Sequence, residues 1–132
     1  MRTDKYHQLN EVHLLQRIWR SELELALQQV TFWEELLGSL DENLDANKTT
    51  FDDTWQMELG QLHHFRRLIK RLQEDLQSLD EQVALGVRTD HVLDKETRLN
   101  QQYLREEMDS FHADFRTFKN GVRRYIAAEP AF

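Results

Sequence analysis

The chain has 132 residues, a formal net charge of -7 and 39% apolar residues, with four glycines, one proline and no cysteine. This length supports one hydrophobic core, and the scarcity of turn-forming residues excludes most β and α/β folds. The absence of cysteine excludes disulfides and thiolate metal sites, and the negative charge disfavours nucleic acid and anionic membranes as partners. We therefore expect a single all-α domain over residues 1–132.

The sequence also indicates where the protein resides. Its N-terminal segment has no apolar run that could form the core of a signal peptide. No window approaches the ~18 uninterrupted apolar residues of a membrane-spanning helix. Together with the lack of cysteine, these features predict a cytoplasmic protein.

The first predicted helix, about residues 6–43, carries two apolar stripes. The main stripe recurs at helical spacing and would face a core: Val12, Trp19, Ala26, Val30, Trp33 and Leu37. The second stripe, displaced by more than 90°, consists of Leu14, Ile18, Leu25, Phe32 and Leu36. It could pack against another helix of the same subunit, or it could contact a partner subunit, because soluble monomers seldom leave such a patch bare.

The second predicted helix, about residues 51–85, contains an uninterrupted heptad seam. Its a and d positions are Trp55, Leu62, Phe65, Ile69, Leu72, Leu76, Leu79 and Val83. Thr49 or Thr50 is expected to cap its start, and Gly86 is expected to end it as the C′ residue. One basic group stands outside the seam and is a candidate binding surface for an acidic partner segment: Arg66, Arg67, Lys70 and Arg71.

The third predicted helix, about residues 91–127, has a strong seam in its second half only. That seam comprises Leu104, Met108, Phe111, Phe115, Phe118, Val122 and Tyr125. Thr97 and Asn100 continue the register backwards with polar side chains, so we expect looser packing at this end. Thr89 or Asp90 is expected to cap the helix, and Pro130 follows its end.

Three long helices with short connections predict an antiparallel up-down-up bundle with coiled-coil-like packing. In architecture alone, this layout resembles the three-helix arrangement of spectrin repeats. Aligning the helices sets Gly38 and Gly121 level with Trp55, where small residues would let the backbones approach closely. Dimerisation through the second stripe of the first helix would complete such a bundle.

Six histidines make a metal site the first chemical hypothesis to weigh. The helix alignment sets His63, His64 and His112 at one level. A di-iron carboxylate bundle, however, requires Glu-x-x-His pairs, and the sequence has none. It also lacks a glycine-rich phosphate loop, a nucleophile elbow and a His-Glu-x-x-His motif, so we expect no catalytic residues, no cofactor and no enzymatic activity.

The sequence therefore favours a non-enzymatic interaction or structural module that forms a homodimer and binds a protein partner. The candidate partner-binding residues are Leu14, Ile18, Leu25, Phe32, Leu36, Arg66, Arg67, Lys70 and Arg71. The alternative is a ferritin-like or haemerythrin-like bundle that binds a metal or small ligand through His63, His64 and His112.

Overall fold

The computed structural model describes three helices and no strand within residues 2–43, 48–89 and 95–128. Burial and side-chain contacts are described for residues 10–38, 56–85, 95–124 and 127. The helices are α1 (Arg2–Asn43), α2 (Lys48–Thr89) and α3 (Lys95–Ala128). At 1.5 Å per residue, α1 and α2 each extend about 63 Å. The all-α prediction is confirmed for this part of the chain.

The predicted seams form the core, with α2 packed against both α1 and α3. Every described seam position of α2 and α3 is buried: Leu62, Phe65, Ile69, Leu72, Leu76, Leu79, Val83, Leu104, Met108, Phe111, Phe115, Phe118 and Val122. The side chains of Trp55 and Tyr125 lie outside the described residues. From α1 the core receives Val12, Trp19, Leu23, Ala26, Val30 and Leu37, while Trp33 is half-buried against it.

An aromatic cluster fills the space between α2 and α3. The ring of Phe65 lies 5.2 Å from that of Phe115, 5.1 Å from that of Phe118 and 6.3 Å from that of Phe111. Phe111 and Phe115 stack on each other at 5.3 Å. Such ring pairs add to the free energy gained from burying apolar area, so Phe65 is a principal contact between the two helices.

Both predicted ends of the second helix differ from the structure. Gly86 does not end α2, which continues to Thr89 and so includes the expected cap of the next helix. One glycine costs only about 1 kcal/mol inside a helix, and no proline follows it to force an end. Thr49 and Thr50 lie within α2 rather than at its cap, and the predicted start of the third helix near residue 91 lies outside the described residues. Asp90 lies outside the described residues.

Polar groups are buried at the ends of both seams. Glu58 lies seven residues before Phe65, in the d register of α2, and is 9% exposed. Thr97 of α3 is also buried, and the exposed side chain of Asn100 donates a hydrogen bond to Gln82 at 3.0 Å. In α1, Gln16 is buried and its Nε2 has no hydrogen-bond partner among the described residues.

The described glycines do not mark close helix contacts. A Cβ added to Gly38, Gly60 or Gly121 would meet no atom within 4 Å. The expectation that Gly38 and Gly121 let the backbones close around Trp55 concerns a side chain that lies outside the described residues.

Candidate interaction surfaces

The second apolar stripe of α1 lies on the surface of the subunit. Leu14 is 58% exposed, Ile18 42%, Leu25 56% and Phe32 57%, whereas Leu36 is half-buried. We call these five residues the α1 stripe. Of the two explanations for it, burial within the subunit does not hold for the four exposed side chains.

The geometry of α1 explains this exposure. Successive helical residues are rotated by about 100°, so the α1 stripe and the buried residues Leu23 and Val30 point in directions more than 90° apart. The side of α1 that faces α2 carries Thr31 and Glu34, which bond to Arg66. Neither neighbouring helix covers the remaining arc where Leu14, Ile18 and Phe32 stand.

Beside Leu25, a groove runs between α1 and α3. Its lining includes Leu25 and Ala26 of α1 and Phe111, Phe115 and Lys119 of α3. The Lys119 ammonium lies 5.0 Å from the centre of the Phe115 ring. Burial, reinforced by the nearby charges of Arg123 and Arg116, lowers the pKa of Lys119. The groove thus combines an apolar floor with a cation at one margin.

The basic group of α2 does not form one surface. Arg66 is half-buried, donating to Glu34 through Nε at 3.0 Å and to Thr31 through Nη2 at 2.9 Å. Arg71 turns to the other side of α2 and pairs with Glu107 of α3 at 3.2 Å. Arg67 and Lys70 are exposed and make no ion pair within the described part of the chain. Of the four basic residues, only these two are both exposed and unpaired within the described part of the chain.

His63 and His112 are paired with separate carboxylates. His63 lies 3.4 Å from Glu34, and His112 of α3 pairs with Glu22 of α1. The exposed ring of His64 contacts Phe65. In residues 10–38, 56–85 and 95–124, no three His, Cys, Asp or Glu side chains are grouped so as to hold a metal ion.

Other exposed large apolar side chains stand on α2 and α3: Met57, Leu85, Leu99 and Tyr103. Tyr103 donates toward Glu107, and this hydrogen bond and the charge of Glu107 raise the pKa of Tyr103. Leu99 and Tyr103 are one helical turn apart, but they do not continue into a row of the length found on α1. The α1 stripe is the longest exposed apolar row among the described residues.

Sequence reasoning missed two features. Glu58 could have been found, because extending the heptad register of Phe65 back by seven residues reaches it. The bonds of Arg66 to Thr31 and Glu34 left no comparable signal, since they depend on the alignment of α1 with α2.

No protein-family model, curated protein or solved structure matches the chain. Among the described residues, no helix combines the length and apolar character needed to cross a bilayer. The function proposed next therefore rests on the side chains of this chain alone.

Proposed function

We propose that the chain is a non-enzymatic, cytoplasmic interaction or structural module that self-associates and binds a protein partner through helix faces. One observation carries this proposal: four large apolar side chains stand exposed along α1 at Leu14, Ile18, Leu25 and Phe32. Contiguous apolar patches on soluble proteins are typically interaction sites. Exposed aromatic and aliphatic residues of this kind serve as anchors in helix-to-helix contacts.

The module is an antiparallel up-down-up bundle. Pairs between α1 and α2 support this direction, because Arg20 pairs with Asp80 whereas Glu34, further along α1, pairs with Arg66. Pairs between α2 and α3 support it in the same way.

In that second interface, Arg71 contacts Glu107, while Gln82 contacts Asn100 nearer the start of α3. In both interfaces, residue numbers increase along one helix while the numbers of their contact partners decrease along the neighbouring helix. Such a bundle offers its long outer faces, the α1 stripe among them, to other proteins.

The test replaces two stripe residues together, Leu25→Glu with Phe32→Glu. We expect a chain with the helical circular dichroism of the wild type that sediments only as a monomer, because both side chains are exposed within the subunit and lose their apolar contact between subunits. The matched control is Leu62→Glu, which places a charge in the core and should unfold the chain. If the double variant unfolds as the control does, the stripe belongs to the core and the proposal fails.

The competing hypothesis is a metal-binding bundle that uses His63, His64 and His112. Elemental analysis of the purified protein separates the two functions. Stoichiometric iron, manganese or zinc would favour the metal-binding bundle over the interaction module.

A further inference from the structure

The α1 stripe is symmetric in sequence about Leu25. Ile18 and Phe32 lie seven residues before and after it, and Leu14 and Leu36 lie eleven residues before and after it. At 100° per residue, all five fall within about 20° of the direction in which Leu25 points. If α1 is turned end for end about Leu25, each apolar stripe position is therefore again occupied by an apolar side chain.

We propose that the occupant of this stripe is a second copy of the chain, docked with its α1 antiparallel to the first about a two-fold axis at Leu25. The inference rests on the proposed self-association and specifies its geometry. In a two-fold contact each copy presents the same patch to the other. Leu25 meets the partner's Leu25, Ile18 meets the partner's Phe32, and Leu14 meets the partner's Leu36.

Charges along the rim complement one another in this arrangement. Arg17 and Glu35 stand on the same side of the stripe, about 80° from Leu25, and both are exposed. Neither forms an ion pair with another described residue of its own chain. The two-fold axis brings Arg17 of each copy beside the partner's Glu35, which creates two ion pairs at opposite ends of the contact.

Near the axis, the neighbours of Leu25 are largely uncharged. Ser21, Gln28 and Gln29 flank the apolar row and can exchange hydrogen bonds across the contact. Glu22 is already paired with His112 within the subunit. Glu24 lies further out, about 100° from Leu25, so the two-fold axis brings it beside the partner's Glu24. Both carboxylates stand on the solvated rim, where water and salt screen their repulsion to a small free-energy cost.

The exposed apolar area gives the size of the proposed contact. Four half-exposed large side chains leave roughly 400 Å² of apolar surface on each copy. Two copies with their polar rims bury an area near or below the ~1,200 Å² at which stable interfaces begin. Contacts of this size belong to the weak, transient class of interfaces, so measurements must span low to high micromolar concentrations.

Cysteine cross-linking tests the register directly, because the natural chain contains no cysteine. Facing residues on helices packed about 10 Å apart have Cα separations of about 5.4 Å, within reach of a disulfide. Under mild oxidation, Leu25→Cys should give a covalent dimer in high yield. Ile18→Cys alone and Phe32→Cys alone should not, whereas a mixture of those two variants should cross-link to each other.

The outcomes distinguish a failure of the antiparallel dimer geometry from a failure of self-association itself. Strong self-cross-linking of Ile18→Cys and of Phe32→Cys would indicate a parallel dimer and overturn this inference. A wild-type chain that sediments as a dimer while Leu25→Cys fails to cross-link would overturn it as well, leaving self-association intact. A wild-type chain that stays monomeric would overturn both. Because all three sites are exposed, circular dichroism should show each variant folded.

Discussion

Two phenylalanines of this chain occupy opposite environments, so replacing each should affect the stability of the subunit very differently. Phe65 is buried against Phe115 and Phe118, whereas Phe32 is exposed on the α1 stripe. We expect Phe65→Ala to lower the free energy of unfolding by about 3–5 kcal/mol, since it leaves a cavity and removes ring contacts. Phe32→Ala should change it by less than about 0.5 kcal/mol in the monomer. Urea unfolding at low protein concentration measures both.

Equal destabilisation by the two substitutions would contradict the burial of Phe65 and the exposure of Phe32. The low protein concentration matters, because a dimer would add a contribution of Phe32 that belongs to the interface.

Glu58 makes the stability of the bundle depend on pH. Burial raises the pKa of Glu58 above its ordinary value, so the folded state favours the protonated carboxyl. The ionised form therefore lowers stability at neutral pH, and stability is gained as the pH falls through the raised pKa of the folded state. We expect Glu58→Gln to unfold at a higher temperature than the wild type at pH 7, with the difference vanishing below pH 4.5, the ordinary carboxyl value.

Thermal unfolding at several pH values checks this prediction. Glu74→Gln is the matched control, because Glu74 is an exposed carboxylate on the same helix and its replacement removes no buried charge. A Glu58→Gln variant that is no more stable than the wild type at pH 7 would contradict the prediction.

The helices show how much the sequence could predict. The spacing of Leu62, Ile69 and Leu76 predicted their burial, because a strict heptad row has one face and that face must be covered. The end of α2 was predicted wrongly, since Gly86 is a weak stop signal when neighbouring residues continue the helix. Helix identity follows from local pattern, whereas helix ends depend on small free-energy differences.

Gly60 stands inside α2 with no packing reason for its small size. It is exposed, and an added Cβ would meet open space. We expect Gly60→Ala to raise the free energy of unfolding by about 0.5–1 kcal/mol, because alanine loses less backbone entropy in a helix. Chemical unfolding measures the change, and a destabilised variant would show that a neighbour approaches this position.

At the scale of the whole molecule, the surface proposed for interaction could be predicted only in part. The sequence revealed the α1 stripe but not its exposure, because the directions of α2 and α3 around α1 are set by tertiary packing. The basic group shows the same limit. Arg66 was a candidate for partner binding, yet the alignment of α1 with α2 places Thr31 and Glu34 within its reach.

Charged residues of the described chain fall into paired and unpaired groups. Arg66 and Arg71 are engaged by carboxylates of neighbouring helices, while Arg17 and Glu35 remain free of ion pairs in the described part of the chain and flank the α1 stripe. These cross-helix pairs lie within the subunit, beside its hydrophobic core. In the proposed dimer, Arg17 and Glu35 pair with the corresponding charges of the second copy.

Sedimentation equilibrium of the wild-type chain from low to high micromolar concentration tests self-association most directly. We expect the mass to rise from 15.9 kDa toward twice that value as concentration increases, and the Leu25→Glu, Phe32→Glu variant to remain at 15.9 kDa throughout. A wild-type mass that stays at 15.9 kDa over the whole range would contradict the proposed function.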